Sequence, residues 1–290
     1  MKGIILAGGG GTRLYPITEA ISKQILPIYD KPMIYYPLNV LLQAGIRDIL
    51  IISTREDTPR FMYLLGSGED FGIHLEYKIQ PSPNGLAEAF ILGKQFIGDD
   101  DVCLILGDNI FFGDELEASI KDIQQNKTIK NGGAVLFAYQ VKDPERFGVV
   151  EFDKNGKAIS IEEKPSHPKS DKAVTGLYFY ASNVVQKALT LKPSQRNELE
   201  ITDLNNLYLK DGLVEVITLP QSVHWLDAGT HDSLLKAGVE VNEAEKKNHR
   251  KVACIEETAY KNGWITKEHL LIRADRMKNQ YGDYLRKIAN

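Results

Sequence analysis

Glycine occupies residues 8–11 of this chain, directly after a short apolar run and two positions before Arg13. Consecutive glycines let backbone N–H groups turn toward an anion without Cβ clashes, and arginine adds a planar, permanent cation that suits a polyphosphate. In an open α/β sheet the loop after the first strand lies at the carboxyl edge, where ligands bind. The sequence therefore predicts a phosphate-binding loop.

This loop differs from two common phosphate-binding motifs. The dinucleotide motif Gly-x-Gly-x-x-Gly would need its third glycine where Arg13 or Leu14 stands. The Walker A motif ends in Gly-Lys-Ser/Thr, whereas Gly11 is followed by Thr12 and Arg13. Neither a dinucleotide-binding site nor the nucleotide site of a P-loop nucleoside triphosphatase is expected.

Further charged residues lie where they could join this loop. Lys23 follows within a short apolar segment, and beside the glycine loop we expect it to be a second phosphate-binding cation. Asp108 comes just after the apolar run of residues 102–106, at the expected carboxyl edge of a central strand. Asp227 precedes a possible helix start near Thr230, so the residues alone leave a helix cap open as its role.

The elements that position these residues alternate between apolar runs and helical patterns. Strands are predicted at residues 3–7, 48–53, 74–79, 102–106 and 134–139, and helices at 33–43, 58–65, 86–96 and 114–125. This alternation predicts an α/β fold: a mostly parallel Rossmann-like sheet with helices on both faces. Beyond about residue 149 the pattern predicts a mixed β extension, and beyond 232 a helical C-terminal region.

The bulk composition limits the class of protein. The formal net charge is −4, so a nucleic-acid partner is not expected. No run approaches the roughly 18 apolar residues of a membrane span, and the short apolar N-terminal stretch runs straight into the glycine loop, unlike a signal peptide. Two cysteines exclude a disulfide framework, and a cytoplasmic location is expected.

Several longer motifs occur in a familiar order. The segments GGGGTRLYPIT and SKQILPIYDKPMIYYPL are followed by motifs at residues 80–87, 106–109, 143–148, 162–165, 174–178, 198–203 and 225–230. Together they resemble the bacterial glucose-1-phosphate thymidylyltransferases, within the sugar nucleotidyltransferase family. The resemblance implies Mg²⁺-dependent transfer of a thymidylyl group from dTTP to glucose 1-phosphate, giving dTDP-glucose and pyrophosphate. This would be the first step of dTDP-rhamnose or related deoxysugar biosynthesis.

The same resemblance implies roles for individual residues. Arg13, Lys23, Asp108, Lys164 and Asp227 would be the catalytic residues, and the two aspartates would bind Mg²⁺. The nucleotide would contact Leu6, Gly8, Gly9, Gly11, Thr12, Arg13, Gln24, Gln80 and Gly85, the last two at the thymine edge. The sugar phosphate would contact Asn109, Gly148, Glu163, Lys164, Val174 and Tyr178. Phe147 is a departure, because related enzymes carry tyrosine there.

The family also suggests an organisation for the whole chain. Residues 1–230 would form the catalytic core, with a nucleotide-binding part at about 1–140 and a sugar-binding part at about 141–230. Residues 231–290 would be a helical region that either caps the core or forms an oligomer interface. Related enzymes are homotetramers with a second nucleotide site near subunit interfaces, and Gly113, Glu117, Lys251 and Glu257 fall near positions expected for it.

Two alternatives stay open. The chain could use UTP, ATP or CTP, since base selectivity does not follow from motif spacing. It could also be a regulatory subunit that binds nucleotide sugars without catalysis, although none of Arg13, Lys23 and the two aspartates is lost.

Overall fold

A computed structural model describes all residues from 1 to 290. Thirteen strands are present: β1 Lys2–Ala7, β2 Pro27–Ile28, β3 Lys31–Pro32, β4 Asp48–Ser53, β5 His74–Ile79, β6 Val102–Leu106, β7 Asn109–Phe112, β8 Ala134–Gln140, β9 Gly148–Phe152, β10 Ala158–Glu163, β11 Lys172–Tyr180, β12 Val214–Thr218 and β13 His224–Asp227. Nine of them form one sheet, in which the path β10-β9-β11-β6-β1-β4-β5 is extended by β8, paired to β11, and β12, paired to β8.

The half of the sheet that carries the glycine loop is parallel. Strand β1 pairs in parallel with β4 on one side and β6 on the other, and β4 pairs in parallel with β5. The sheet then becomes mixed, because β11 runs antiparallel to β6, β8 and β9. The predicted fold class, with its mixed extension, is therefore confirmed.

Apolar residues cover both faces of this sheet. In β1, Ile5 and Ala7 belong to one core, whereas Ile4 and Leu6 belong to another on the opposite face. Successive side chains of a strand point to opposite faces, so a strand apolar throughout must be covered twice. The helices that contribute to these two cores are α1 Tyr35–Gln43, α2 Thr58–Leu65, α3 Glu88–Leu92, α4 Lys94–Ile97, α5 Leu116–Ile120, α6 Lys127–Lys130, α7 Val184–Ala188, α8 Ile201–Lys210, α10 Ile255–Lys261, α11 Lys267–Asp275 and α12 Gln280–Ala289. Helix α9 His231–Asn248 belongs instead to a third, smaller apolar cluster with β2 and β7. None of these helices combines the length and apolarity needed to cross a membrane.

Some predicted element bounds were wrong. The helix expected over residues 86–96 is two short helices, α3 and α4, that meet at Gly93. A Cβ at Gly93 would lie 3.1 Å from the side chain of Ile4, so this glycine lets the chain pass close to the sheet. The helix expected over 114–125 is shortened to α5 and a separate 3₁₀ turn. The short strands β7 and β13, which pair with each other outside the main sheet, had not been expected.

The last three helices, α10 to α12, complete the core that contains Ile5. Ile255, Leu270 and Leu285 belong to the same apolar cluster as Ile5 and Ile49 of the central strands. Residues on both sides of position 230 thus contribute to one core. The assignment of separate functions to the two parts stays a prediction.

A buried ion pair fastens these helices to the rest of the chain. The guanidinium of Arg273 in α11 donates to Glu256 in α10 at 3.0 Å and also bonds Asp70 in the loop before β5. Glu256 is 1 % exposed and accepts a second hydrogen bond from the hydroxyl of Tyr281. Removing one partner of such a pair leaves a buried charge without compensation.

We predict that Arg273→Met lowers the free energy of unfolding by about 3–5 kcal/mol, because Glu256 loses its partner in the interior. Arg276→Met is the matched control, since the Arg276 side chain is 63 % exposed and reaches only Asp70, at 3.4 Å. That control should change stability by about 0–1 kcal/mol. Urea denaturation followed by circular dichroism measures both, and equal effects of the two substitutions would contradict the prediction.

Candidate active site

The carboxyl ends of β1 and β6 bring the glycine loop and Asp108 together. The register places Leu6 beside Leu106, and the N–H of Gly107 donates to the carbonyl of Leu6 at 3.0 Å. Asp108 therefore follows β6 at the edge where the glycine loop leaves β1. This is the edge at which ligands bind in open α/β sheets.

The glycine loop has a backbone that other residues would adopt only with strain. Gly9 has a φ of 108° and Gly11 a φ of 57°, both in the region that favours glycine. A Cβ at Gly9 would meet nothing within 4 Å, so this part of the loop faces open space. The hydroxyl of Thr18 donates to the carbonyl of Gly11 at 2.8 Å and fixes the far end of the loop. The loop then leads into a 3₁₀ turn that carries Thr12 and Arg13.

Lys23 reaches this edge from a second 3₁₀ turn, which is held against the start of α2. The backbone N–H of Ser22 donates to the carboxylate of Asp57 at 3.1 Å, and the hydroxyl of Ser22 donates to the side chain of Gln24 at 2.6 Å. Gln24 is buried, and its Cγ would lie 2.9 Å from a Cβ at Gly107. The turn is thus fixed on both sides, and Lys23 is directed at Asp108.

Two carboxylates and three cations meet at the centre of the site. The ammonium of Lys23 bonds Asp108 Oδ2, and the guanidinium of Arg146 lies 3.9 Å from Asp227 Oδ2. A Cβ at Gly229 would lie 2.6 Å from Arg13 Nη2 and 2.9 Å from Asp227 Oδ1, so the guanidinium of Arg13 lies in the neighbourhood of this carboxylate. The site therefore holds compensated charges rather than isolated ones.

The two carboxylates titrate differently. Burial alone would raise the pKa of Asp108, but the charge and hydrogen bond of Lys23, with a hydrogen bond from Asn109, lower it. Burial and the negative charge of Asp108 raise the pKa of Asp227, against the opposing effect of Lys23, Arg13 and Arg146. Asp108 thus keeps its negative charge to a lower pH than Asp227 does.

Gln80, which is expected to contact the thymine base, lies beside the first glycine of the loop. A Cβ at Gly8 would lie 2.7 Å from Gln80 Oε1, and Gln80 Nε2 donates to Glu88 at 2.8 Å. Glu88 also accepts from Asn84 at 2.8 Å, so one carboxylate orients both amides. Gly85 has a φ of 105°. Glu88 was not identified from the sequence, because its carboxylate looks like any charge in the first turn of a helix.

The sugar-side residues line a cavity of about 660 Å³ together with Arg13, Asp108 and Asp227. It includes all of the residues expected there: Asn109, Gly148, Glu163, Lys164, Val174 and Tyr178. The hydroxyl of Thr202 donates to Glu163 Oε2 at 2.6 Å, and Arg196 Nη2 approaches Glu163 Oε1 at 3.4 Å. The sequence had not singled out Arg146, Arg196 or Thr202, each of which lies in a loop or helix start distant in the chain.

Leu6 differs from the other nucleotide-side residues. Its side chain is 6 % exposed and packs in the core, so only its backbone could meet a ligand. Among the described residues there is no cluster of three or more His, Cys, Asp or Glu side chains able to hold a metal ion. A metal at this site would therefore have Asp108 and Asp227 as its protein ligands and take the rest from substrate and water.

A second cavity, of about 580 Å³, lies between the end of β7, helix α9 and the segment that follows α9. Gly113, Glu117 and Lys251 line it, together with the cations Lys247 and Arg250. Glu257 is not part of the lining; its carboxylate pairs with Arg250 at 3.2 Å and Lys261 at 2.7 Å. Its contact with the cavity is thus indirect, through Arg250.

Comparisons with known proteins agree with this geometry. Residues 2–244 match the family described as Nucleotidyl transferase. A glucose-1-phosphate thymidylyltransferase of Neisseria meningitidis is 58 % identical over 286 residues, which is 98 % of each chain. A Bacillus anthracis structure described as a glucose-1-phosphate thymidylyltransferase, solved with sucrose, superposes with a TM-score of 0.76 at 45 % identity, over 83 % of this chain and 94 % of that one.

A more distant structure shares the fold. A UDP-glucose pyrophosphorylase solved with UDP-glucose is 25 % identical, with a TM-score of 0.70 over 85 % of this chain and 98 % of its own. From the family match, the near full-length relatives and the edge of the sheet described above, we conclude that the chain belongs to the nucleotidyl transferase family, among the glucose-1-phosphate thymidylyltransferases.

Proposed function

We propose that this chain transfers a thymidylyl group from dTTP to glucose 1-phosphate, forming dTDP-glucose and releasing pyrophosphate. The observation that carries the proposal is the convergence of Arg13, Lys23 and Asp108 at the glycine loop, beside the cavity that holds Glu163 and Lys164. Relatives of this name match the chain over nearly its whole length.

The reaction requires charge neutralisation rather than a general base. An oxygen of the sugar phosphate attacks the α-phosphorus, the bond from that phosphorus to the bridging oxygen of the β-phosphate breaks, and pyrophosphate leaves with the electron pair. The nucleophile is already an anion at neutral pH, so the obstacle is the approach of two polyanions. In this proposal Lys23 contacts the α-phosphoryl group, Arg13 contacts the leaving phosphates and Lys164 contacts the sugar phosphate.

The carboxylates suit a magnesium ion. Asp108 and Asp227 lie close enough for the charge of one to raise the pKa of the other, and both offer the hard oxygen ligands that Mg²⁺ prefers. Mg²⁺ commonly takes one or two carboxylates together with phosphate oxygens and water. When bound, it would neutralise charge between the two phosphate-bearing substrates.

The experiment that tests this function is a pyrophosphate-release assay with dTTP, UTP, ATP and CTP against several sugar 1-phosphates. We expect the highest kcat/KM for dTTP with glucose 1-phosphate, in the presence of Mg²⁺. A preference for another nucleotide would change the base assignment, whereas no release by the folded chain would favour a binding subunit.

The cations give a second prediction. Arg13→Ala and Lys23→Ala should each lower kcat by about 10²–10³-fold, since each removes a donor aimed at charge that develops in the transition state. Lys154→Ala, in the exposed turn between β9 and β10, serves as the control and should keep full activity. Steady-state kinetics provide the measurement. If both active-site variants turned over at nearly the wild-type rate, the loop would not be the phosphate site.

We also propose that the chain forms homotetramers and that the second cavity binds a nucleotide sugar. Large apolar side chains are exposed on α9, at Leu235 and Val239, and on the N-terminal segment beside it, at Ile17 and Tyr29. An apolar patch of this kind marks many protein interfaces. The cations Lys247, Arg250 and Lys251 suit a diphosphate in the second cavity. The location in the cytoplasm stays a prediction.

Inhibition by dTDP-rhamnose tests the second cavity. We expect Lys247→Ala to raise the inhibition constant about tenfold, the effect of losing one charge-assisted hydrogen bond, and to leave the KM for dTTP unchanged. Lys246→Ala is the matched control, because Lys246 is the next residue in the chain, is exposed and lies outside the lining of the cavity. Purely competitive inhibition that is unchanged in Lys247→Ala would mean that the inhibitor occupies only the active site.

A further inference from the structure

Trp225 and Asp227 lie two residues apart on β13 and so point to the same side of that strand. Strand β13 pairs antiparallel with β7, in a register that sets Asp227 opposite Asn109. Trp225 is buried and packs against the ring of Phe147, at a centroid distance of 5.1 Å. Residue type alone makes Trp225 a core residue, and the family resemblance assigns it no catalytic or binding role.

The indole of Trp225 makes one polar contact, and it is with Asn109. Its Nε1–H donates to Asn109 Oδ1 at 2.7 Å. The backbone N–H of Gly176 donates to the same oxygen at 3.0 Å. Two donors on one atom decide which end of the amide is the oxygen, because the NH₂ group would face two other donors if the amide were reversed.

Strand β11 is shaped to deliver the second donor. Its pairing with β8 shifts register between Val174 and Tyr178, and Gly176 lies within this irregularity. Such an interruption of the ladder redirects backbone groups toward a neighbouring site. A Cβ at Gly176 would lie 2.6 Å from Asn109 Oδ1, so a side chain there would displace the amide.

The fixed amide in turn holds Asp108. Asn109 Nδ2 donates to Asp108 Oδ1 at 3.1 Å, while the ammonium of Lys23 bonds the other oxygen, Oδ2. Asn109 is 4 % exposed, and its amide oxygen already accepts the two hydrogen bonds from Trp225 and Gly176 inside the protein. Each oxygen of the carboxylate therefore has a donor that sets its direction.

We propose that Trp225 is a positioning residue: its indole N–H fixes the amide of Asn109, which orients the carboxylate of Asp108 for metal binding. This inference rests on the proposed function, because it concerns the same site. It assigns Asn109 a task that a sugar contact alone would not require, namely orienting a metal-binding carboxylate.

Mn²⁺ binding measured by electron paramagnetic resonance, with dTTP present, tests the inference without relying on turnover. Trp225→Phe keeps an aromatic ring but removes the donor, and we expect its Mn²⁺ dissociation constant to rise about tenfold, the low end for residues that orient a metal ligand. Tyr139→Phe is the matched control, because the ring of Tyr139 packs on the same indole at a centroid distance of 6.0 Å. This variant should bind Mn²⁺ as tightly as the wild type does.

A double-mutant cycle separates positioning from packing. Asn109→Leu should weaken Mn²⁺ binding about 10–100-fold, and adding Trp225→Phe to it should change binding by less than about twofold, since the path through the amide is already lost. Independent effects that multiply in the double variant would overturn the proposal, as would wild-type Mn²⁺ binding by Trp225→Phe.

A nuclear magnetic resonance measurement covers the case in which Trp225→Phe does not fold. The chain has two tryptophans, so the indole N–H region should show two signals. Asn109→Leu should shift the Trp225 signal and speed its exchange with solvent, and an unmoved signal would overturn the proposal. The wild-type assay for dTDP-glucose formation is read separately, so failure of the proposed function is distinguishable from failure of this inference.

Discussion

The parallel pairing of β1 with β6 is the constraint on which the site depends. It sets the glycine loop and Asp108 side by side, because both follow strands that end at the same edge. The close approach extends one residue past the strands, where Gly107 donates to Leu6. A side chain at position 107 would collide with Gln24, so this glycine also lets the turn that carries Lys23 pack over the strand ends.

Each carboxylate at this edge has a cation near it before any substrate binds. Lys23 neutralises Asp108, while Arg13 and Arg146 lie beside Asp227. Buried charges without partners would destabilise the fold, so the cations that we propose to bind phosphate also stabilise the site without substrate. An incoming polyanion must compete with Asp108 for Lys23, and a divalent cation on the carboxylates would favour that exchange.

A short ribbon links the two cavities. Strand β7 begins with Asn109 in the active site and ends with Phe112 at the second cavity, and β13 runs back from His224 to Asp227. The rings of Phe112 and His224 stack at 4.5 Å across the ribbon at the second cavity. Coupling between two sites requires an element whose arrangement both ligands bias, and this ribbon contributes residues to the lining of both cavities.

The sequence by itself determined the parallel part of the fold and the chemistry of the loop. Runs such as residues 102–106 are apolar on every position, which only a sheet covered on both faces satisfies, and consecutive glycines before Arg13 leave few uses other than anion binding. The motifs also contain the residues expected at the sugar, and all of these residues line the first cavity. These are local properties, encoded within a few neighbouring residues.

The tertiary structure alone decided which residues orient that chemistry. Trp225 meets Asn109 across 116 positions, Thr202 meets Glu163 across 39, and Asp57 meets Ser22 across 35. No periodicity or spacing announces such pairs, because each side chain on its own fits a core, a helix start or a surface loop. The short strands β7 and β13 were missed for the same reason: their pairing is a contact between distant segments, and neither is long enough to show a pattern.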